Sequence, residues 1–176
     1  HLFNEIFIEG LSGMATGLFA TLIVGTILTQ VGSLIPGVIG EYLFVIGKVA
    51  SSVTGAGIGV GVAIRFKESP LVTISAATCG MMGAFASKVL TGDVFVDGVI
   101  RYSGPGEPLG AFIATLAGIY AGRLVSGKTK VDILITPLCS IIAGSIVGLI
   151  FGPPISGFMV FLGELINIGT QQQPFL

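Results

Sequence analysis

Charge is what this sequence has least of. Residues 10–40 and again 133–163 contain no Asp, Glu, Lys or Arg, and charged residues make up 10% of the chain, where soluble domains carry about a quarter. A water-solvated fold is thereby excluded, since each tract exceeds the roughly 20 apolar residues that one helical crossing of a bilayer requires. The net charge is -1 and there is no basic or acidic tail, so neither nucleic acid nor polybasic attachment to lipid headgroups is expected. The two cysteines, Cys79 and Cys139, lie inside apolar tracts without a CxxC pattern, which predicts buried free thiols and no metal site. The single histidine is His1, and P-loop, HExxH and GxSxG patterns are missing. No catalytic residue, metal or cofactor is therefore assigned.

What is present is apolar and rich in glycine. The mean hydropathy of +1.00 and a length of 176 residues predict an all-α polytopic membrane protein of about six transmembrane helices in a single domain, 1–176. Residues 1–9 place Leu2, Phe3, Ile6 and Phe7 opposite Asn4, Glu5 and Glu9, the pattern of a short amphipathic helix at the interface. Spans are expected over 11–34, 38–64, 70–90, 109–125, 131–152 and 155–168, with breaks at Pro36-Gly37, Pro70 and Gly152-Pro153-Pro154. Alternate connections then collect Arg65, Lys67, Arg123, Lys128 and Lys130 on one side, and Arg101 with Asp93, Asp97 and Glu107 on the other. Lys and Arg are retained in the cytoplasm, which places the N-terminus and the Thr170 end there. The start at His1 and the end at Pro174-Phe175-Leu176 predict that the chain is cut at both ends.

Glycine accounts for 28 residues. Membrane helices associate by close van der Waals packing through small residues, and Gly13/Gly17, Gly57/Gly61 and Ala114/Gly118/Gly122 form stripes of that kind; they predict a homodimer packed through glycine-rich faces. From Gly55 to Gly61 glycine occupies every second position. That predicts a broken or unwound helix, the device by which transporters expose backbone groups at mid-membrane.

Intramembrane charges are functional candidates because each is costly to insert. Here they are Glu41, Lys48, Lys88 and Glu164. Interface snorkelling accounts for Glu41 and Lys88 near span ends, while Lys48 and Glu164 lie deeper. The Ser103-Gly-Pro-Gly-Glu-Pro108 segment reads either as a surface turn or as a re-entrant gate loop holding Glu107 toward a cavity. Asn167, Thr170, Gln171, Gln172 and Gln173 form an amide-rich cluster suited to the paired hydroxyls of a sugar; Pro174 behind them disfavours a continuous helix and favours a cavity-lining loop over a lipid-facing strand, with a plain cytoplasmic turn as the alternative. The expected substrate-binding residues are thus Glu107, Glu164, Asn167, Thr170, Gln171, Gln172 and Gln173.

The segments 41–66 (EYLFVIGKVASSVTGAGIGVGVAIRF), 103–114 (SGPGEPLGAFIA), 126–137 (SGKTKVDILITP) and 166–175 (INIGTQQQPF) resemble the membrane subunit of the bacterial phosphotransferase system, in particular a stand-alone enzyme IIC-like family, of which this chain is similar to the N-terminal half. The resemblance implies a multi-pass plasma-membrane protein, usually dimeric, among membrane lipids. It also implies that a sugar-like solute is bound within the bilayer and presented to phosphorylated cytoplasmic IIB/IIA partners. Sugar-binding members commonly use a glutamate and a histidine from a later loop. This chain lacks such a histidine and shows no phosphorylatable catalytic residue, and its glutamate would be Glu107 or Glu164. The alternative is a non-transporting membrane sensor, regulator or scaffold that binds a lipid or another apolar ligand.

Overall fold

The computed structural model describes residues 1–172. Residues Leu2–Leu34 form one helix, α1, which passes through two wider π-turns. Ile35, in an extended conformation, and Gly37, at φ 88°, turn the chain back. Next come α2 (Val38–Ser52) and α3 (Thr54–Arg65), which meet at 54° across Val53. α4 (Pro70–Ala84) begins at a Ser69 cap with Pro70 in the first turn, a favoured start because proline has no N–H to leave unpaired. After a break at Phe85, α5 (Ala86–Thr91) ends on left-handed Gly92. A hairpin of β1 (Phe95–Val96) and β2 (Val99–Ile100) turns on Asp97 and Gly98, both at positive φ as a two-residue turn demands. Finally, α6 (Pro108–Val125) leads into the 41-residue α7 (Asp132–Gln172).

By length and composition α1, α6 and α7 can each cross a membrane, and the bent pair α2–α3 makes a fourth crossing if it counts as one span. The six spans read from the sequence are not reproduced. The fifth and sixth merge, because α7 runs through Pro153 and Pro154 without a break. An interrupted helix in hydrocarbon leaves unpaired backbone groups at several kcal/mol each, so apolar surroundings favour continuing the helix through proline. Residues 1–9, expected at the interface, are helical and continuous with α1.

Packing depends on backbones that nearly touch. Gly13 and Gly17 of α1 face Gly61 and Gly57 of α3, while Gly55 and Gly59 of α3 face Gly80 and Ala76 of α4. This explains the alternate glycines and corrects the unwound-helix reading. Residues two apart lie about 200° apart on a helix, so Gly57/Gly61 and Gly55/Gly59 are stripes on opposite faces of an intact α3 held between two neighbours. The break falls earlier, at Val53 (φ -98°, ψ 17°). Along α7 the buried residues Thr136, Ser140, Gly144, Gly148 and Gly152 recur every fourth position. Ser140 donates to the Gly118 carbonyl at 2.8 Å and its own carbonyl accepts from the buried Cys79 thiol at 3.3 Å. Both cysteines are free. The glycine faces on which a dimer was expected are therefore occupied inside the subunit.

One end of the bundle is tied by charge. The Arg123 guanidinium donates to Glu5 at 2.6 Å and to Glu68, while its plane lies over the rings of Phe66 and Tyr120. Tyr120 donates to Glu5 at 3.0 Å, and Arg65 pairs with Glu9 at 2.8 Å. These contacts join the start of α1, the α3–α4 turn and the end of α6, the same grouping of connections that the alternating charges require. Burial pushes the Glu68 carboxyl up and Arg123 opposes that shift.

The glycine contacts predict unequal tolerance of a single methyl group. A Cβ on Gly17 would stand 2.6 Å from the Ile58 backbone nitrogen, whereas Gly157 has open space around it. Gly17→Ala is expected to destabilise the purified protein by about 1–3 kcal/mol. Gly157→Ala should be neutral or slightly stabilising, by up to about 1 kcal/mol. Thermal unfolding in detergent followed by intrinsic fluorescence distinguishes them.

Candidate functional site

The site is organised by the break at Phe85. Phe85 leaves helical geometry (φ -110°, ψ 15°), and the carbonyl of Ala84 accepts instead from the backbone N–H of Glu107 at 2.8 Å. Gly106 makes this docking feasible in two ways: its φ is 75°, and a Cβ there would lie 2.7 Å from the Ala84 oxygen. Tyr102 packs on the buried Phe85 ring at 4.8 Å between centroids, and Lys88 donates to the Ser103 carbonyl at 3.3 Å. The 102–107 segment is therefore held against the α4–α5 break, with Tyr102, Ser103 and Gly104 exposed at the surface. Pro108 then starts α6 directly after Glu107.

Two cavities flank this segment and share Ser103, Gly104 and Pro105 as a wall. The larger, about 610 Å³, lies between α1 and α2 and is bordered by Thr26, Thr29, Gln30, Lys48, Ser51 and Ser52. The smaller, about 340 Å³, is bordered by Ser87, Lys88, Glu107, Gly152 and Ser156. Burial raises the Glu107 carboxyl above its ordinary value. The smaller cavity thus offers a carboxyl, an ammonium and hydroxyls in one partly desolvated space, a set able to both donate and accept hydrogen bonds.

The sequence-predicted residues do not all converge here. Glu107 lines the smaller cavity. Glu164, Asn167, Thr170, Gln171 and Gln172 are exposed on the last turns of α7, so the expected cavity-lining loop is helix; Gln173 lies outside the described residues. Thr170 donates to the Ile166 carbonyl and Gln171 to Asn167, both local contacts on α7. Of the intramembrane charges, Lys48 borders the larger cavity, Lys88 the smaller, and Glu41 a separate groove near Ile35 and Gly37. Sequence reasoning missed Thr26, Thr29, Gln30, Ser51, Ser52, Ser87 and Ser156. The signal was faint, because single hydroxyl residues in apolar helices usually bond the preceding turn. Among the described residues no group of His, Cys, Asp and Glu is placed to hold a metal.

An all-α bundle with several membrane-length apolar helices, and two open, partly polar grooves beside a docked loop, defines a multi-pass membrane protein. Residues 8–176 match the family model described as Phosphotransferase system, EIIC. The chain belongs to that family, the membrane subunits of phosphotransferase-system sugar transporters, which work with IIB and IIA partner proteins. Comparison with curated proteins and with solved structures gives no match.

The raised Glu107 carboxyl sets a pH dependence. The native state holds this proton more tightly than the unfolded chain, so Glu107 supports stability at low pH and the support is lost as pH rises from 4.5 through the elevated native value. Relative to the parent, Glu107→Gln is expected to flatten that decline and to be the more stable above it. Unfolding midpoints of both proteins across pH 4 to 8 check the sign.

Proposed function

We propose that this chain forms the solute-binding part of a phosphotransferase-system sugar transporter and that the paired cavities around Ser103–Glu107 receive the solute. The carrying observation is Glu107, held on a docked loop with its carboxyl in a partly desolvated cavity beside Lys88 and hydroxyls. A carboxylate accepts a short, charge-assisted hydrogen bond from a sugar hydroxyl, and the Lys88 ammonium donates to a neighbouring oxygen. Each such bond contributes about 1.5–3 kcal/mol. Family membership supports the sugar class and the delivery of phosphoryl groups by IIB/IIA partners. Exposed Glu164, Asn167, Thr170, Gln171 and Gln172 contribute to the same site only if α7 changes its packing.

Binding of a sugar panel to the purified protein, read by thermal shift beside fatty acids and phospholipids, tests this reading. Sugars should stabilise the parent, and Glu107→Gln should weaken the response by about ten- to a hundredfold in affinity. Glu164→Gln and a triple Ala variant at 171–173 should change it much less. Protection by fatty acids or lipids with none from sugars would overturn the transporter reading in favour of a lipid-binding sensor or scaffold.

The orientation belongs to the same proposal. The end carrying Arg65, Lys67, Arg123, Lys128 and Lys130, and with it the N-terminus, faces the cytoplasm on the positive-inside rule, where it is accessible to IIB. In a Cys79→Ala, Cys139→Ala background, Asp97→Cys is expected to react with an impermeant thiol reagent in intact cells. Lys128→Cys should react only after permeabilisation, and the opposite pattern would invert the topology.

A further inference from the structure

The two cavities differ in charge balance. In the smaller, Lys88 is accompanied by Glu107. In the larger, Lys48 is the only charged residue, and no carboxylate borders it among the described residues. Nor does Lys48 appear in any ion pair among them. Lys48 is exposed, and its ammonium lies 5.3 Å from the centroid of the Phe44 ring, which borders the same space.

Three of the hydroxyls bordering the cavity, those of Thr26, Thr29 and Ser52, are committed in one direction. Thr26 donates to Leu22 and Thr29 to Gly25, both at 2.8 Å, and Ser52 donates to Val49 at 2.7 Å. With their protons spent on the backbone, these oxygens present lone pairs to the cavity and call for donors on whatever enters. Lys48 is the opposite, a donor with no accepting capacity, and its uncompensated charge in a half-apolar groove calls for an anion. Gln30 meets either need. A single molecule that satisfies the set carries hydroxyl donors and one anionic oxygen group.

Building on the solute-binding reading above, we infer that the larger cavity recognises an acidic, hydroxyl-bearing solute such as a sugar carboxylate, with Lys48 paired to its anionic group and the Thr26, Thr29 and Ser52 oxygens accepting from its hydroxyls. The volume of about 610 Å³ accommodates a ligand of this size. This narrows the substrate class: neutral sugars leave Lys48 unpaired, and an acid of the same ring does not.

Matched pairs decide the matter. Affinities of glucose against glucuronate and galactose against galacturonate are measured by calorimetry on the purified full chain in phosphatidylcholine nanodiscs. The parent, Lys48→Gln, Lys48→Arg and Glu107→Gln are compared. The acid of at least one pair should bind about tenfold or more tightly than its neutral partner, and added salt should weaken the acid alone. Lys48→Gln should remove that preference while leaving the neutral sugar within about twofold, and Lys48→Arg should restore much of it. Equal binding within both pairs, or an equal loss for acid and neutral sugar in Lys48→Gln, overturns the acidic-solute inference. If neutral sugars then still depend on Glu107, the sugar-binding reading survives; if no sugar binds, both fall. Retention of phosphatidylglycerol that Lys48→Gln abolishes, with no sugar acid bound, assigns the groove to a lipid headgroup and overturns the inference as well.

Discussion

The close approach of helix backbones is the constraint on which everything else in this protein rests. A lipid-solvated bundle gains nothing from hiding apolar side chains, which are as well placed in hydrocarbon, so cohesion comes from contact area and the fit of one backbone against the next. Here that fit requires glycine on both sides of the contact, as at Gly17 with Gly57 and Gly55 with Gly80. The large apolar residues take the outer role: Phe19, Ile39, Ile46, Ile74 and Leu134 are exposed, the inverse of a soluble core. Close packing also leaves little slack, and this keeps the polar space confined to the places where a helix breaks.

Those breaks build the site. At Val53 and at Phe85 a helix departs from regular dihedrals, and the carbonyl at the second break is met by the loop that carries Glu107. The loop thus repairs the break and at the same time holds Glu107 at the edge of the smaller cavity. Because Ser103, Gly104 and Pro105 border both cavities, a displacement of these residues would alter both volumes together.

Much of this was legible in residue patterns, though unevenly. The charge-free tracts identify the membrane class, and the breaks at Pro36-Gly37 and before Pro70 fall where turn chemistry puts them. The grouping of Arg65 with Arg123 follows from charge alternation. Glu107 was legible because a carboxylate amid two prolines and two glycines has few conformations available. The alternate glycines at 55–61 point to a broken or unwound helix when one face is assumed; they are two stripes on an intact helix, and the break lies just before them at Val53. Gly152-Pro153-Pro154 reads as a stop in water and is not one in an apolar phase, where continuing the helix spares unpaired amides. The amide cluster shows the limit of composition: suitable functional groups identify a ligand chemistry but not the surface to which a rigid helix carries them.

The unbroken α7 has a mechanical consequence. Its buried stripe ends at Ile155, and the segment 156–172 beyond it forms an arm that is mostly exposed apart from Ser156 at the smaller cavity. That outer arm is about 25 Å long at 1.5 Å per residue. Pro153 and Pro154 remove helical hydrogen bonds at its root, the place where helices bend most readily. A bend of only about 10° there would carry the tip roughly 4 Å sideways over such an arm. Ser156, which borders the smaller cavity, sits immediately beyond the proline pair. A bend at the proline pair would therefore also shift one wall of the smaller cavity.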